Sequence, residues 1–257
     1  MAELLQHGHE VLVVDKVRPA DSSIAFLSVD LTDYGQVVDA LSGFDAVAHL
    51  AAIPAPRLLP DAVTFRNNMV SDYNVFLASK QVGIKNVVWA SSETVLGLPF
   101  DTPPPYVPLD EEYAGRPESA YSLAKHLTEK MAEQYCRWAP ELKIFGLRFS
   151  NVMEPHDYDR FSSFDGDPNT RRWNLWCYID VRDAAQAVRL ALESSLKGAE
   201  VFIIANSDSV MSRSSTELMA ECFPTVPFQR EVAPHEALMS SDKAKRLLGF
   251  EPKHSWR

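Results

Sequence analysis

Short apolar runs alternate with helix-patterned segments up to about Asn151, and that alternation leaves few architectures open. Val87 to Ala90 is continuously apolar, as a strand buried on both faces must be, and Ala46-Val-Ala and His9-Glu-Val-Leu-Val-Val-Asp15 read as further strands. Between them lie helices. Asn68 opens one that runs through Asn74 and Ala78, and a second spans Ser119 to about Trp138, with Leu123, Leu127, Met131 and Tyr135 at helical spacing. Strands that alternate with helices pair in parallel, with helices on both faces, so the chain reads as α/β. Beyond Asn151 the pattern is less regular, with a few helices and two short strands.

Composition narrows the function classes. At 257 residues and 46% hydrophobic content, the chain can bury a core as one domain plus a small cap. A net charge of -10 disfavours nucleic acid as a partner. No run approaches a membrane span and no signal-peptide pattern is visible, so no membrane partner is expected. Cys136, Cys177 and Cys222 are odd in number and far apart, which argues against a disulfide framework and fits a cytoplasmic, reducing setting. Nothing resembles a metal site. The Pro-rich stretch Thr102 to Pro108 reads as a substrate-side loop.

The chemistry is concentrated in Tyr121-Ser-Leu-Ala-Lys125. Residues four apart share a helix face, which sets an ammonium beside a phenol. Tyr titrates near ~10, so it can exchange a proton with an alcohol near neutrality only where something stabilises its anion, and a cation does so. Upstream, Ser91 and Ser92 lie at the carboxyl end of the Val87 to Ala90 strand, where open α/β sheets bind ligands.

These features in this order resemble the extended short-chain dehydrogenase/reductases, the NAD-dependent epimerase/dehydratase branch, over nearly the whole chain. Supporting matches are His49 to Ala52 after the strand Ala46-Val-Ala, Leu147 to Val152, Tyr178-Ile-Asp-Val-Arg-Asp183 and Lys245 to Pro252. The resemblance implies a Rossmann-like doubly wound parallel sheet with a small C-terminal substrate-binding cap. Residues 1–150 would form the NAD-binding domain, and 151–257 a mixed region with the cap and late Rossmann elements.

The resemblance also assigns roles. Ser92 would hydrogen-bond the reacting oxygen, Tyr121 would transfer the proton, and Lys125 would lower the Tyr pKa and hold the nicotinamide ribose. Asn68 would organise a proton relay behind the Lys, although Asn also suits a helix N-cap. Asp15 would bind the adenosine ribose, favouring NAD over NADP, while Lys16 and Arg18 work against that preference. Asp30 and Leu31 would meet the adenine, Asp33 would cap the next helix, and Leu50, Ala51 and Ala52 would line the cofactor. On the substrate side stand Ser92, Glu93, Thr94 and Asn151. Glu93 is read either as a second acid/base or orienting group, or as a surface carboxylate. Arg57, Arg171 and Arg172 are candidates for holding a carboxylate, or are solvated surface residues.

Two departures matter. The Gly-x-x-Gly-x-x-Gly turn after a first strand is not in this sequence; Met1 to Gly8 reads as the end of the helix that would follow it. In the order 3-2-1-4-5-6, the second and fourth strands would then lack the neighbour between them. Glu93-Thr94 also replaces the acid pair of family dehydratases, and the short stretch from Asn151 to Tyr178 suits a small substrate. The expected activity is an oxidoreductase that transfers a hydride between NAD and a secondary alcohol or ketone of a small sugar, sugar acid or polyol, acting as a homodimer. Epimerisation through a transient ketone, or a non-catalytic binding role, are the alternatives.

Overall fold

The computed structural model of the protein describes residues 1–257 except residue 22. In chain order the elements are α1 (Ala2–Gln6), β1 (Val13–Asp15), β2 (Phe26–Ser28), α2 (Tyr34–Leu41), β3 (Ala46–His49), α3 (Asp61–Val82), β4 (Asn86–Ser92), α4 (Ala120–Trp138), β5 (Lys143–Phe149), β6 (Val152–Met153), β7 (Ile179–Asp180), α5 (Val181–Glu193), β8 (Gly198–Ile204), α6 (Ser215–Cys222) and α7 (Asp242–Leu248). They fall into two compact units.

The first unit holds Met1–Ser91, Ser119–Gly146 and Ala191–Glu200. Its strands pair in parallel, as the alternation predicts: Val13 stands opposite Phe26, and Ala46 opposite Asn86. The β1-β2 pair is a separate two-stranded sheet, while β3 and β4 belong to a sheet of order β3-β4-β5-β8. The break falls between the strands that correspond to the second and fourth of the Rossmann order, and among the described residues no strand joins the two sheets.

Helix α3 corrects one expectation. It starts at Asp61, with Pro60 as N-cap, so Asn68 lies inside the helix and is not its cap. The helix stops at Gly83, whose φ of +86 is the left-handed C-terminal geometry that glycine adopts without a Cβ clash. Helix α4 opens on a capping box in which Ser119 and Ser122 satisfy each other's backbone N–H groups. Asp33 caps α2 by accepting from Gln36 N, as expected. The core of this unit packs Phe76, Trp89 and Tyr135 among Val37, Val75, Ile84, Val87 and Ile144. Phe76 meets Trp89 edge-on with ring centroids 6.1 Å apart and Tyr135 at 5.9 Å.

The second unit comprises Ser92–Glu118, Leu147–Leu190 and Val201–Arg257. Its core gathers Phe161, Trp176, Tyr178, Met211 and Phe223. Two short strands are expected beyond Asn151 and three are found among the described residues, of which β6 and β7 pair in parallel. The third is the seven-residue β8, of which only Val201 to Ile204 belongs to this unit; that apolar run is too short for periodicity to tell strand from helix. The Pro-rich stretch is stitched down at its end, with Val107 N donating to Pro227 O at 3.0 Å and Leu109 N to Leu238 O at 2.8 Å.

Candidate active site

Helix α4 carries Tyr121 and Lys125 one turn apart, both buried, with 7% and 2% of their surface exposed. The Lys125 Nζ lies 6.0 Å from the Tyr121 ring centroid and 5.3 Å from that of Trp89, so the ammonium faces aromatic surface. Burial pushes the Lys125 pKa below its ordinary value, and the buried Asp72 on α3 opposes that shift. Asp72 accepts from His49 Nε2 at 2.8 Å and from Thr128 Oγ1 at 2.7 Å. Burial alone would raise the Asp72 carboxyl, but Lys125, His49 and Thr128 together hold it below the usual carboxylate range.

Asn68, one helical turn before Asp72, is fully buried and clamps the segment after β3. Its oxygen accepts from Ile53 N at 2.8 Å, and its NH2 donates to Ile53 O at 3.1 Å. Both groups of the amide are thereby used on one backbone position, which fixes the path of Leu50, Ala51 and Ala52. Leu50 is left exposed and the two alanines half-buried.

Asp15 ends β1 and accepts from Val17 N at 3.0 Å. Asp30 sits in the turn before α2, with Leu31 half-buried beside it. Its carboxylate takes the Thr32 hydroxyl at 2.7 Å and Lys16 Nζ at 3.0 Å, contacts that hold its pKa down at about 2. A cleft of about 380 Å³ opens here, lined by Lys16, Asp30, Thr32, Val63, Arg66, Asn67 and Val70. Arg18 lies over the Phe26 ring at 4.7 Å from its centroid.

The two serines at the end of β4 have different surroundings. Ser91 Oγ donates to Glu129 Oε1 at 2.7 Å, within the first unit. Ser92 belongs to the second, where its Oγ accepts from Thr94 Oγ1 at 3.0 Å and from Thr94 N at 3.2 Å. A hydroxyl that accepts twice keeps its own hydrogen to donate elsewhere.

Glu93 is not a surface carboxylate. It is buried, accepts from Ser150 Oγ at 2.7 Å and from Asn174 Nδ2 at 3.3 Å, and burial raises its pKa to about 7 against the pull of those donors and of Arg171. Arg171 is buried too, and donates from Nη1 to Asn151 Oδ1 at 2.9 Å and from Nη2 to Cys177 O at 3.0 Å. Arg172 stacks over Phe223 at 5.1 Å from the ring centroid, and Arg57 is exposed.

Asp72, Ser150 and Asn174 were missed in the sequence. Asp72 stands four residues after Asn68, a same-face helical spacing that was available as a signal. Ser150 and Asn174 had none, because their meeting with Glu93 depends on chain segments far apart in sequence.

Comparison with known proteins shows which family the chain resembles. The chain is 26% identical to the UDP-glucose 4-epimerase of Corynebacterium glutamicum, over 99% of this chain and 87% of that one. It is 27% identical to the L-arabinose 1-dehydrogenase (NAD(P)(+)) of Haloferax volcanii, over 83% and 86%. The crystal structure of the Thermus thermophilus UDP-glucose 4-epimerase complexed with NAD matches the fold with a TM-score of 0.72 at 23% identity, over 99% of this chain and 89% of that one. The model of the NAD dependent epimerase/dehydratase family matches residues 1–168, a span that includes the Tyr121–Lys125 pair and the Ser92 strand end, and the chain belongs to that family.

Proposed function

We propose that this enzyme is an NAD-dependent oxidoreductase acting on a secondary alcohol or ketone of a small sugar, sugar acid or polyol. The observation that carries the reading is the buried Tyr121–Lys125 pair with Asp72 as the counter-charge of Lys125. A buried ammonium near a phenol favours the phenolate, and a phenolate can take the proton of a substrate hydroxyl. Ser92, whose oxygen accepts from Thr94, keeps its hydrogen to donate to a substrate oxygen. Asn68 keeps the segment after β3 in place and so supports the cofactor side.

The residues present fit NAD. The cleft over Asp30 is large enough for part of a nucleotide, and its Lys16 and Arg66 suit an anionic ligand. Asp15, Asp30 and Leu31 would hold the adenosine half, Leu50, Ala51 and Ala52 would line the cofactor, and Tyr121 with Lys125 would hold the nicotinamide ribose. Bound NAD supplies the hydride acceptor for the carbon that loses its hydrogen. On the substrate side, Thr94 and Asn151 complete the set, with the buried Glu93 held behind Asn151 by its bond to Ser150.

A second reading is supported by the likeness to UDP-glucose 4-epimerases over 99% of the chain: epimerisation through a transient ketone, with no net change in NAD. Absorbance at 340 nm separates the two when NAD+ is mixed with L-arabinose, D-glucuronate, glucose 6-phosphate and UDP-glucose. Net NADH formation supports the dehydrogenase. Conversion of UDP-glucose to UDP-galactose without NADH supports the epimerase, and neither event with any of the four defeats both.

We also infer a homodimer formed through α3 and α4, because Tyr73, Leu123 and Leu127 leave 47%, 40% and 38% of their surface exposed on those helices.

A further inference from the structure

Glu93 is buried in a ring of polar groups that packing alone does not require. Burying a carboxyl group is costly unless its neighbours answer it. Ser150 Oγ and Asn174 Nδ2 both donate to it, and Asn174 in turn lies 3.5 Å from Arg171 Nη2 through its oxygen. The Arg171 guanidinium packs against Phe164 and Trp173, 5.4 and 5.0 Å from their ring centroids. Among the described residues, Arg171 and Cys177 are charged or titratable groups that interact electrostatically with Glu93, and burial pushes Cys177 up to about 12, so it faces Glu93 as a neutral thiol.

The consequence appears at Asn151. A guanidinium has donors and no acceptor, so the Asn151 amide must turn its oxygen toward Arg171 Nη1. Its NH2 group is then the side left to a ligand. Asn151 is half-buried and next to Ser150, whose hydroxyl is tied to Glu93, so both ends of the arrangement answer to one carboxyl group.

Building on the sugar-type substrate proposed above, we propose that Glu93 and Arg171 are positioning residues that lock the Asn151 amide with its oxygen inward, so that the site offers a fixed pair of N–H donors and selects a substrate oxygen that accepts. A carbonyl, hydroxyl, carboxylate or phosphate oxygen meets that requirement; a group that can only donate does not.

The test needs no substrate. The full chain is labelled with 15N-asparagine, the Asn151 side-chain signal is assigned by its loss in Asn151→Asp, and the pH is taken from 5 to 9. The Asn151 NH2 signals are expected to move with a midpoint near the Glu93 pKa of about 7, and to stay still in Glu93→Gln. Ser150→Ala removes a donor that favours the ionised form, so it shifts the midpoint upward, and it serves where Glu93→Gln does not fold. Signals that are still in the wild type, or that move identically in the variants, overturn the proposal. With L-arabinose and D-glucuronate as probes, Arg171→Lys is expected to raise KM roughly tenfold with kcat changed less than about threefold. A kcat loss with KM unchanged overturns the selection step. Absence of wild-type turnover with either sugar counts against the proposed reaction, while the NMR result decides the positioning by itself.

Discussion

Asp72 Oδ1 accepts a hydrogen bond from His49 Nε2 at 2.8 Å, and both side chains are almost completely shielded from solvent. The contact ties the end of β3 to the middle of α3. Through Thr128 and the charge of Lys125, the same carboxylate also reaches α4. One acid thus links three elements of the first unit at the point where the proposed catalytic pair is held.

Removing that charge should be expensive. Asp72→Asn keeps the shape but leaves Lys125 buried without its counter-charge, and breaking a buried pair in this way typically costs about 3 to 5 kcal/mol. The sign with pH follows from the lowered pKa: the contribution of Asp72 is complete above the unfolded carboxylate value and is lost as pH falls through the lower folded value. Urea unfolding at pH 7 and at pH 3 should therefore show the variant and the wild type far apart at pH 7 and closer at pH 3. A difference below about 1 kcal/mol at pH 7 would show that Lys125 does not depend on Asp72.

Tyr121→Phe removes one oxygen and leaves the ring in place. If Tyr121 carries the proton, turnover should fall by about 10² to 10⁴. NAD affinity, followed by Trp fluorescence, should change little, because the other residues proposed to hold the cofactor are untouched. Retained turnover rules Tyr121 out as the acid/base.

The sequence revealed the parallel α/β architecture and the Tyr121–Lys125 pair because both are local signals: a change of hydrophobic period, and two residues one helical turn apart. The N-cap at Asp33 was readable for the same reason. Asn68 shows where locality fails. Its type suited a helix start, but α3 begins at Asp61 and Asn68 instead bonds Ile53 across the intervening loop. Glu93 was ambiguous because burial of a carboxylate depends on partners supplied by distant residues. Ser150, Asn174 and Arg171 are brought to it only by the folded second unit.

Gly146 tests the packing of β5 against the Trp89 ring of β4. A Cβ there would lie 3.1 Å from the Trp89 ring, which is fully buried and already edge-packed against Phe76. Gly146→Ala should destabilise by about 1 to 3 kcal/mol, as overpacking does in dense cores. Thermal unfolding followed by near-UV circular dichroism measures the loss, and an unchanged midpoint would mean the ring has room to move.

The exposed ridge on α4 leads to a different measurement. Light scattering of the wild type should give twice the chain mass of 28.8 kDa. Leu127→Asp places a charge in the proposed interface, where an unpaired buried charge is not tolerated, and should give the single-chain mass with native circular dichroism. A wild type of single-chain mass removes the dimer from the account.

Glu93 gives the pH dependence of the second unit, with the opposite sign to Asp72. Its folded pKa is raised from 4.5 to about 7, so the native state holds the proton over a range where the unfolded chain has released it. Stability from this group is complete below the unfolded value and is lost as pH rises toward about 7, a change of about 2 to 4 kcal/mol for a shift of this size. Glu93→Gln cannot titrate, so denaturation of the variant should lack that decline between pH 5 and 8 while the wild type shows it. Parallel curves in that window would mean that Glu93 is ionised throughout, with Arg171 and the two donors fully offsetting the cost of its burial.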